Sequence, residues 1–141
     1  MTNQKGFSLI ELLIVVAIIG IIAAIAVPNL LQSKAAANEA SAISSIRAIV
    51  TSEITYSATT GSGSYAADLT DLSAASLIDS VLGAGTKDGY AFVVAGTANT
   101  FTITANPTDP TITGNRYFFA DQSGVIRTST DGAADADDDP L

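Results

Sequence analysis

The sequence predicts an α+β protein in which one long N-terminal helix packs on a small antiparallel sheet of about four strands. Three observations support this prediction. An apolar run from Leu12 to Val27 opens the chain, and a segment without glycine or proline, Asn29 to Ser57, follows it. The second half contains short stretches in which bulky and polar residues alternate, and turn sequences separate them. Helical periodicity followed by strand periodicity is typical of an α+β layer.

Residues 7–28 are predicted to form a transmembrane or filament-core helix. They carry a single charge, Glu11. At a rise of about 1.5 Å per residue the segment spans roughly 33 Å, which is enough to cross a bilayer. Lys5 precedes it, so the positive-inside tendency places the amino end in the cytoplasm and the rest of the chain outside. Ala24-Ile25-Ala26 also resembles the cleavage site of a secretory signal, but the apolar stretch is longer than a usual signal core.

Glu11 is unusual because a carboxylate in hydrocarbon costs on the order of a few kcal/mol. No Lys, Arg or His lies between Phe7 and Gln32 to pair with it. A chain cut between Gly6 and Phe7 would supply a new amine four residues away, or one helical turn. The alternative is an acid that is tolerated near the membrane edge.

Residues 29–58 are predicted to form the amphipathic half of the long helix. Ile43, Ile46, Val50 and Ile54 recur at three- and four-residue steps, with Ile49 flanking them, and form an apolar stripe that would cover the sheet. The charged residues of this segment are predicted to lie outside the stripe: Lys34, Glu39, Arg47 and Glu53. Pro28 should bend or locally open the helix because it removes a hydrogen bond.

Residues 59–141 are predicted to form a loop after the helix, short helical turns, the sheet and an acidic C-terminal tail. Glycine, serine and threonine from Thr59 to Ser64 end the helix. Alternating residues then predict strands near Tyr90–Val94 and Phe101–Ala105, and two further strands, Arg116–Ala120 and Val125–Thr128, are predicted on either side of the turn sequence Asp121-Gln122-Ser123-Gly124.

The segment Lys5-Gly6-Phe7-Ser8-Leu9-Ile10-Glu11-Leu12-Leu13-Ile14-Val15-Val16 resembles the class III leader of type IV pilins and type II secretion pseudopilins. This resemblance implies that a prepilin peptidase removes residues 1–6, cleaving between Gly6 and Phe7, and methylates the amine of Phe7. It also implies a pilin fold, and a homo-oligomeric helical filament in which Glu11 pairs with the Phe7 amine of an adjacent subunit. Pro28 stands where the family has a proline, in a region that can loosen during assembly.

Composition excludes several other functions. The chain has no histidine and no cysteine, so the commonest general base, thiol nucleophile and zinc ligands are missing, and we expect no enzyme. Its net charge of −8 gives no direct sign of nucleic-acid binding, which needs clustered cations. Asp131, Asp135 and Asp137 could supply oxygen ligands for calcium, as the resemblance to major pseudopilins implies, although their spacing does not match an EF-hand. The alternative is a solvated acidic end without cofactor.

We therefore predict a structural subunit of a type IV pilus for adhesion, motility or DNA uptake. The alternative within the family is a major pseudopilin of a type II secretion system, which forms a periplasmic pseudopilus. A lesser alternative is a membrane-anchored binding domain. By resemblance, the partners are the prepilin peptidase and an inner-membrane assembly platform with a separate motor ATPase. The precursor would cross the bacterial inner membrane once, and the assembled subunit would lie in a surface pilus or periplasmic pseudopilus.

Overall fold

The long N-terminal helix is present. In the computed structural model, which describes residues 6–141, helix α1 spans Leu9–Ala58. Its bounds agree with the prediction within two residues at either end. The chain divides into two compact units, the first ending at Ser33 and the second comprising Lys34–Leu141.

The second unit contains two short helices and one antiparallel sheet. The elements are α2 (Leu69–Ala74), α3 (Ser80–Gly83), β1 (Thr86–Lys87), β2 (Tyr90–Gly96), β3 (Phe101–Pro107), β4 (Tyr117–Asp121), β5 (Ile126–Ser129) and β6 (Asp139–Pro140). The strands pair in chain order, so the sheet is a meander. The predicted sheet had about four strands. The two further strands, β1 and β6, are two-residue pairs at the edges, too short for an alternating pattern to reveal.

One face of the sheet forms the core of this unit. Val94 is paired with Ile103, Ile103 with Ala120 and Ala120 with Ile126, so a buried row crosses four strands. Alternation along β3 fits this arrangement: Phe101 and Ile103 are buried, whereas Thr102 between them is exposed. The α1 residues in the same core cluster are Ala42, Ile46 and Ile49.

The predicted apolar stripe of α1 is only partly correct. Ile46 is fully buried, but Ile54 is 56% exposed, and Ile49, predicted only to flank the stripe, lies at its centre. Glu39 and Glu53, predicted to lie outside the stripe, are both buried. The buried face of α1 therefore runs through two carboxylates, which apolar periodicity cannot detect.

The segment between α1 and α2 lies against the hairpin that joins β2 and β3. Tyr65 donates its N–H to the carbonyl of Thr97, and its ring packs edge-on against Phe101 with centroids 4.8 Å apart. The backbone of Ala66 approaches Gly96 so closely that a Cβ on this glycine would lie 1.8 Å from the Ala66 carbonyl oxygen. A side chain at position 96 would therefore displace this segment.

Candidate functional site

The predicted cleavage junction lies in non-helical, accessible backbone. Gly6, Phe7 and Ser8 precede the first residue of α1, and Phe7 is 94% exposed. Apart from its chain neighbours, no atom of the described residues lies within 4 Å of the position that a Cβ on Gly6 would occupy. The Gly6–Phe7 bond is therefore sterically accessible within the described part of the chain. The rest of the predicted leader, including Lys5, lies outside the described residues.

Glu11 caps the first turn of α1. Its Oε2 accepts the backbone N–H of Ser8 at 2.8 Å, and the Leu12 N–H donates to the Ser8 carbonyl at 3.3 Å. This is one half of a capping box, in which an acid three residues after the cap satisfies the cap's own amide. A carboxylate here also interacts favourably with the positive end of the helix dipole.

The Ser8-Leu9-Ile10-Glu11 spacing is itself the sequence signature of such a box, and our sequence reasoning missed it. It changes the interpretation of the acid. Glu11 has a local structural function in the single chain and need not be unsatisfied there. The predicted pairing with a Phe7 amine would be a second function, and it stays a prediction.

The rest of the first unit presents an apolar surface. All residues from Gly6 to Ser33 are exposed. By length and composition, α1 could cross a membrane. It continues without interruption through Pro28, and the Asn29 side-chain amide donates to the Ile25 carbonyl at 3.0 Å just after the proline. The predicted bend at Pro28 stays a prediction.

A cluster of hydrogen bonds joins Asn38 and Glu39 of α1 to the loop between β3 and β4. Glu39 accepts the Asn115 N–H with Oε1 and the Arg116 Nε–H with Oε2, both at 2.8 Å. Asn38 donates to the Thr113 carbonyl at 2.9 Å. Tyr90 donates its hydroxyl to the Arg116 carbonyl at 2.8 Å, and burial raises its pKa well above the ordinary range, so it stays a neutral donor. We call Asn38, Glu39, Thr113, Asn115 and Arg116 the clasp.

A second buried carboxylate, Glu53, lies nearer the C-terminal end of α1. Its Oε2 accepts the Ala66 N–H at 2.8 Å, while its buried Oε1 has no hydrogen-bond partner among residues 6–141. Asp71 accepts the next amide, that of Ala67, at 3.1 Å. Burial is the main cause that raises the pKa of Glu53; Asp71 adds to it, and the Ala66 hydrogen bond opposes it.

The acidic C-terminal segment is folded back on the sheet. Asp139 and Pro140 pair with β5, Ala134 is buried, and Arg127 donates from Nη1 to the Asp138 carbonyl at 2.8 Å. It therefore differs from the tail that we predicted.

The three candidate calcium ligands, Asp131, Asp135 and Asp137, are all exposed in this segment. Asp135 Oδ1 accepts the Asp137 N–H at 2.8 Å. In the part of the chain that the structure describes, no three acidic side chains form a group that could hold a metal ion. Calcium binding through these residues stays a prediction.

Comparison with known proteins addresses the N-terminal segment directly. Residues 1–27 match the family described as the prokaryotic N-terminal methylation motif. The chain therefore carries this N-terminal methylation motif. The Gly6–Phe7 junction, the Glu11 cap and the whole apolar run from Leu12 to Val27 lie within its bounds.

The chain is similar to two kinds of proteins, type IV pilus components and a type II secretion system component. This chain is 46% identical over 54 residues, 38% of its length, to the type IV major pilin protein PilA of Myxococcus xanthus. It is 62% identical over 39 residues, 28% of this chain, to the type IV wide pilus major component PilA4 of Thermus thermophilus. To the type II secretion system core protein G of Escherichia coli it is 43% identical over 47 residues, 33% of this chain. These matches span 24%, 30% and 32% of the three relatives.

Proposed function

We propose that this chain is the structural subunit of a type IV pilus, used for adhesion, motility or DNA uptake. One observation carries the proposal: an accessible Gly6–Phe7 bond directly precedes a capped helix whose apolar side chains are exposed, all within a methylation motif. Such a helix needs lipid or other helices around it. The precursor waits in the inner membrane with its amino end in the cytoplasm, and the second unit lies outside.

Cleavage and assembly then follow from the same segment. A prepilin peptidase cuts after Gly6 and methylates the new amine of Phe7. Assembly moves the apolar surface of residues 7–28 from lipid into a bundle of helices from other copies. Glu11 pairs with the Phe7 amine of an adjacent copy and fixes the axial register, since an unpaired charge in that bundle would be strongly unfavourable.

The subunit itself performs no chemistry in this proposal. The sequence contains neither histidine nor cysteine, and it has no phosphate-binding loop of the Gly-Lys-Ser/Thr kind. Energy for extension therefore comes from a separate motor ATPase that acts through an inner-membrane assembly platform.

A second candidate function is that of a major pseudopilin, which forms a periplasmic pseudopilus for protein secretion. The similarity to core protein G of the type II secretion system favours it, as do the lack of cysteine and the acidic C-terminal segment. A membrane-anchored binding domain is a lesser candidate, which would need neither cleavage nor self-association.

The test is the mass of the N-terminal peptide in two fractions of the cell. Gently sheared filaments should yield a peptide that starts at methylated Phe7. The same processed peptide confined to the cell envelope would favour the pseudopilin. An intact Met1, or a peptide that starts at Val27, would overturn both filament functions.

A further inference from the structure

A small groove in the second unit combines one cation with an apolar lining. It has a volume of about 230 Å³ and is lined by Arg47, Gly124, Val125, Ile126, Pro140 and Leu141. Helix α1 contributes the arginine, the turn between β4 and β5 contributes residues 124 and 125, and the chain after β5 closes the far side. The Leu141 N–H donates to the Ile126 carbonyl at 2.9 Å, so this wall is tied to the sheet.

Arg47 and Lys34 are the cations of the sheet-bearing unit that form no ion pair within residues 6–141, and of the two only Arg47 lines the groove. Lys87 pairs with Asp79 at 3.2 Å, Arg116 pairs with Glu39 at 2.8 Å, and Arg127 donates to the Asp138 carbonyl. Arg47 is exposed, and within residues 6–141 no carboxylate lies within salt-bridge distance of it. The helix positions three and four residues away are Ile43, Ser44, Val50 and Thr51, so α1 offers it no acid either.

The charge and lining of the groove indicate which kind of group could bind there. A polyanion such as nucleic acid or a lipid surface needs several clustered cations, and this groove has one. One guanidinium beside exposed apolar side chains, with Val125 38% and Leu141 56% exposed, suits a single carboxylate that is flanked by apolar residues.

The chain itself supplies such carboxylates in excess. The unit that starts at Lys34 has 13 acidic and 5 basic residues. In a filament the acidic surface held at the highest local concentration belongs to the neighbouring copies.

We propose that the Arg47 groove is a docking surface for an acidic loop on a second copy of this chain. The proposal rests on the filament function above and deepens it. The apolar helices bring copies together, and the groove then fixes how the second units of neighbouring copies meet. Charge complementarity of this kind gives orientation more than affinity.

The experiment is zero-length carbodiimide cross-linking of assembled full-length filaments that carry Arg47→Lys. Filaments are grown from an equal mixture of ¹⁴N- and ¹⁵N-labelled subunits, and cross-linked peptides are weighed. We expect mixed-isotope peptides that join position 47 to an Asp or Glu. The Lys87–Asp79 pair serves as internal control, because it should yield only same-isotope peptides if it reacts within one copy.

A second variant tests the energetic consequence. Arg47→Ala should lower the yield of sheared filaments by about fivefold, the effect of one exposed ion pair at each subunit contact. Lys34→Ala removes an exposed charge from the same helix at a position about 220° around the axis, and it should change the yield less than twofold.

Filaments that start at processed Phe7 but give only same-isotope links, or none, at position 47 would overturn the groove and leave the pilus function standing. Equal losses with Arg47→Ala and Lys34→Ala would also overturn it, because net charge would then be the cause. If no filaments form from the wild-type chain, the groove proposal and the proposed function fail together.

Discussion

The two halves of α1 differ in the side chains that they expose and bury. Between Phe7 and Leu31, sixteen large apolar side chains are each at least 42% exposed. Between Lys34 and Ala58, the same helix buries two carboxylates, Glu39 and Glu53. A helix in a soluble protein normally buries most of its large apolar side chains, and it rarely buries a carboxylate that has no partner. Both carboxylates of the second half accept hydrogen bonds from their own chain, whereas the apolar side chains of the first half require partners from outside it.

This difference separates what keeps the helix out of water from what orders the copies. Full burial of one large apolar side chain is worth roughly 1.5–3 kcal/mol relative to water, so sixteen of them keep this segment in lipid or in a helix bundle by tens of kcal/mol. Transfer from lipid into a bundle gains none of that energy, so close packing between helices must favour assembly. One ion pair at Glu11 contributes a few kcal/mol at most. Its proposed effect is selective: it makes one register better than the others.

The largest effect that we predict comes from Glu11→Ala. Removing the carboxylate would leave the Phe7 amine of a neighbouring copy unpaired, at a cost of about 3–5 kcal/mol per subunit. The variant should still be cleaved and inserted, because the junction and the apolar run are unchanged. Filaments in the sheared fraction should fall below detection by immunoblot, while the N-terminal mass in the membrane still starts at Phe7.

Glu11→Gln is the matched control, because its amide oxygen can still accept the Ser8 N–H and cap the helix. If the charge sets the register, Gln should fail as Ala does. Normal filament yield from the Gln variant would show that capping, and not the ion pair, is what assembly requires.

The next largest effect concerns the clasp. Glu39→Ala removes the acceptor of two 2.8 Å hydrogen bonds and leaves the Arg116 guanidinium without its carboxylate. Because that arginine is itself partly exposed, we expect a loss of about 2–3 kcal/mol in the free energy of unfolding. Urea denaturation of the full chain in detergent, followed by tyrosine fluorescence, would measure it. Thr51→Ala, an exposed change on α1, should stay within about 0.5 kcal/mol of wild type; an equally small loss for Glu39→Ala would contradict the clasp.

Sequence patterns predicted the elements of this fold better than their polar contacts. Period-two alternation located β2 and β3, the turn sequence from Asp121 to Gly124 located β4 and β5 on either side of it, and glycine–serine–threonine content marked the end of α1. The β1–β2 hairpin also had a signal, since Asp88 and Gly89 both have positive φ and Asp-Gly is a strong turn sequence. Strand β6 had none, because aspartate and proline disfavour strands and only pairing with β5 makes one.

The buried carboxylates illustrate a different limit. Glu39 and Glu53 are buried because backbone amides from residues 115 and 66 reach them, and contacts between segments 13 to 76 residues apart leave no local pattern. The N-terminal methylation motif was recognisable in the sequence because all its features are local. Phe7 and Glu11 lie only four residues apart, and the Ser8–Glu11 cap that we missed has a fixed spacing.

The smallest predicted effect is a pH dependence from Glu53. Its folded pKa is raised above the ordinary 4.5, chiefly by burial and further by Asp71, so the folded chain holds the proton more tightly than the unfolded chain. This stabilisation is fully present below about pH 4.5 and is lost as the pH rises through the folded pKa. One titrating group changes stability by at most roughly 1.4 kcal/mol per pH unit.

Glu53→Gln mimics the protonated acid, so the difference in unfolding free energy between it and wild type should grow as the pH rises from 4.5. Hydrogen exchange at the Ala66 amide should follow the same trend in wild type and lose it in the variant, because this amide donates to Glu53.

Asp68 provides a control of opposite sign. Hydrogen bonds from Thr70 and Asp71 lower its pKa, so its contribution to stability is lost as the pH falls. Asp68→Asn should therefore reduce the pH dependence of the unfolding free energy only at acidic pH. The prediction would be contradicted if the unfolding free energies of wild type and Glu53→Gln had the same pH dependence. Glu53 would then be ionised to the same extent in the folded and unfolded chains, and the second half of α1 would hold a buried charge without loss of stability.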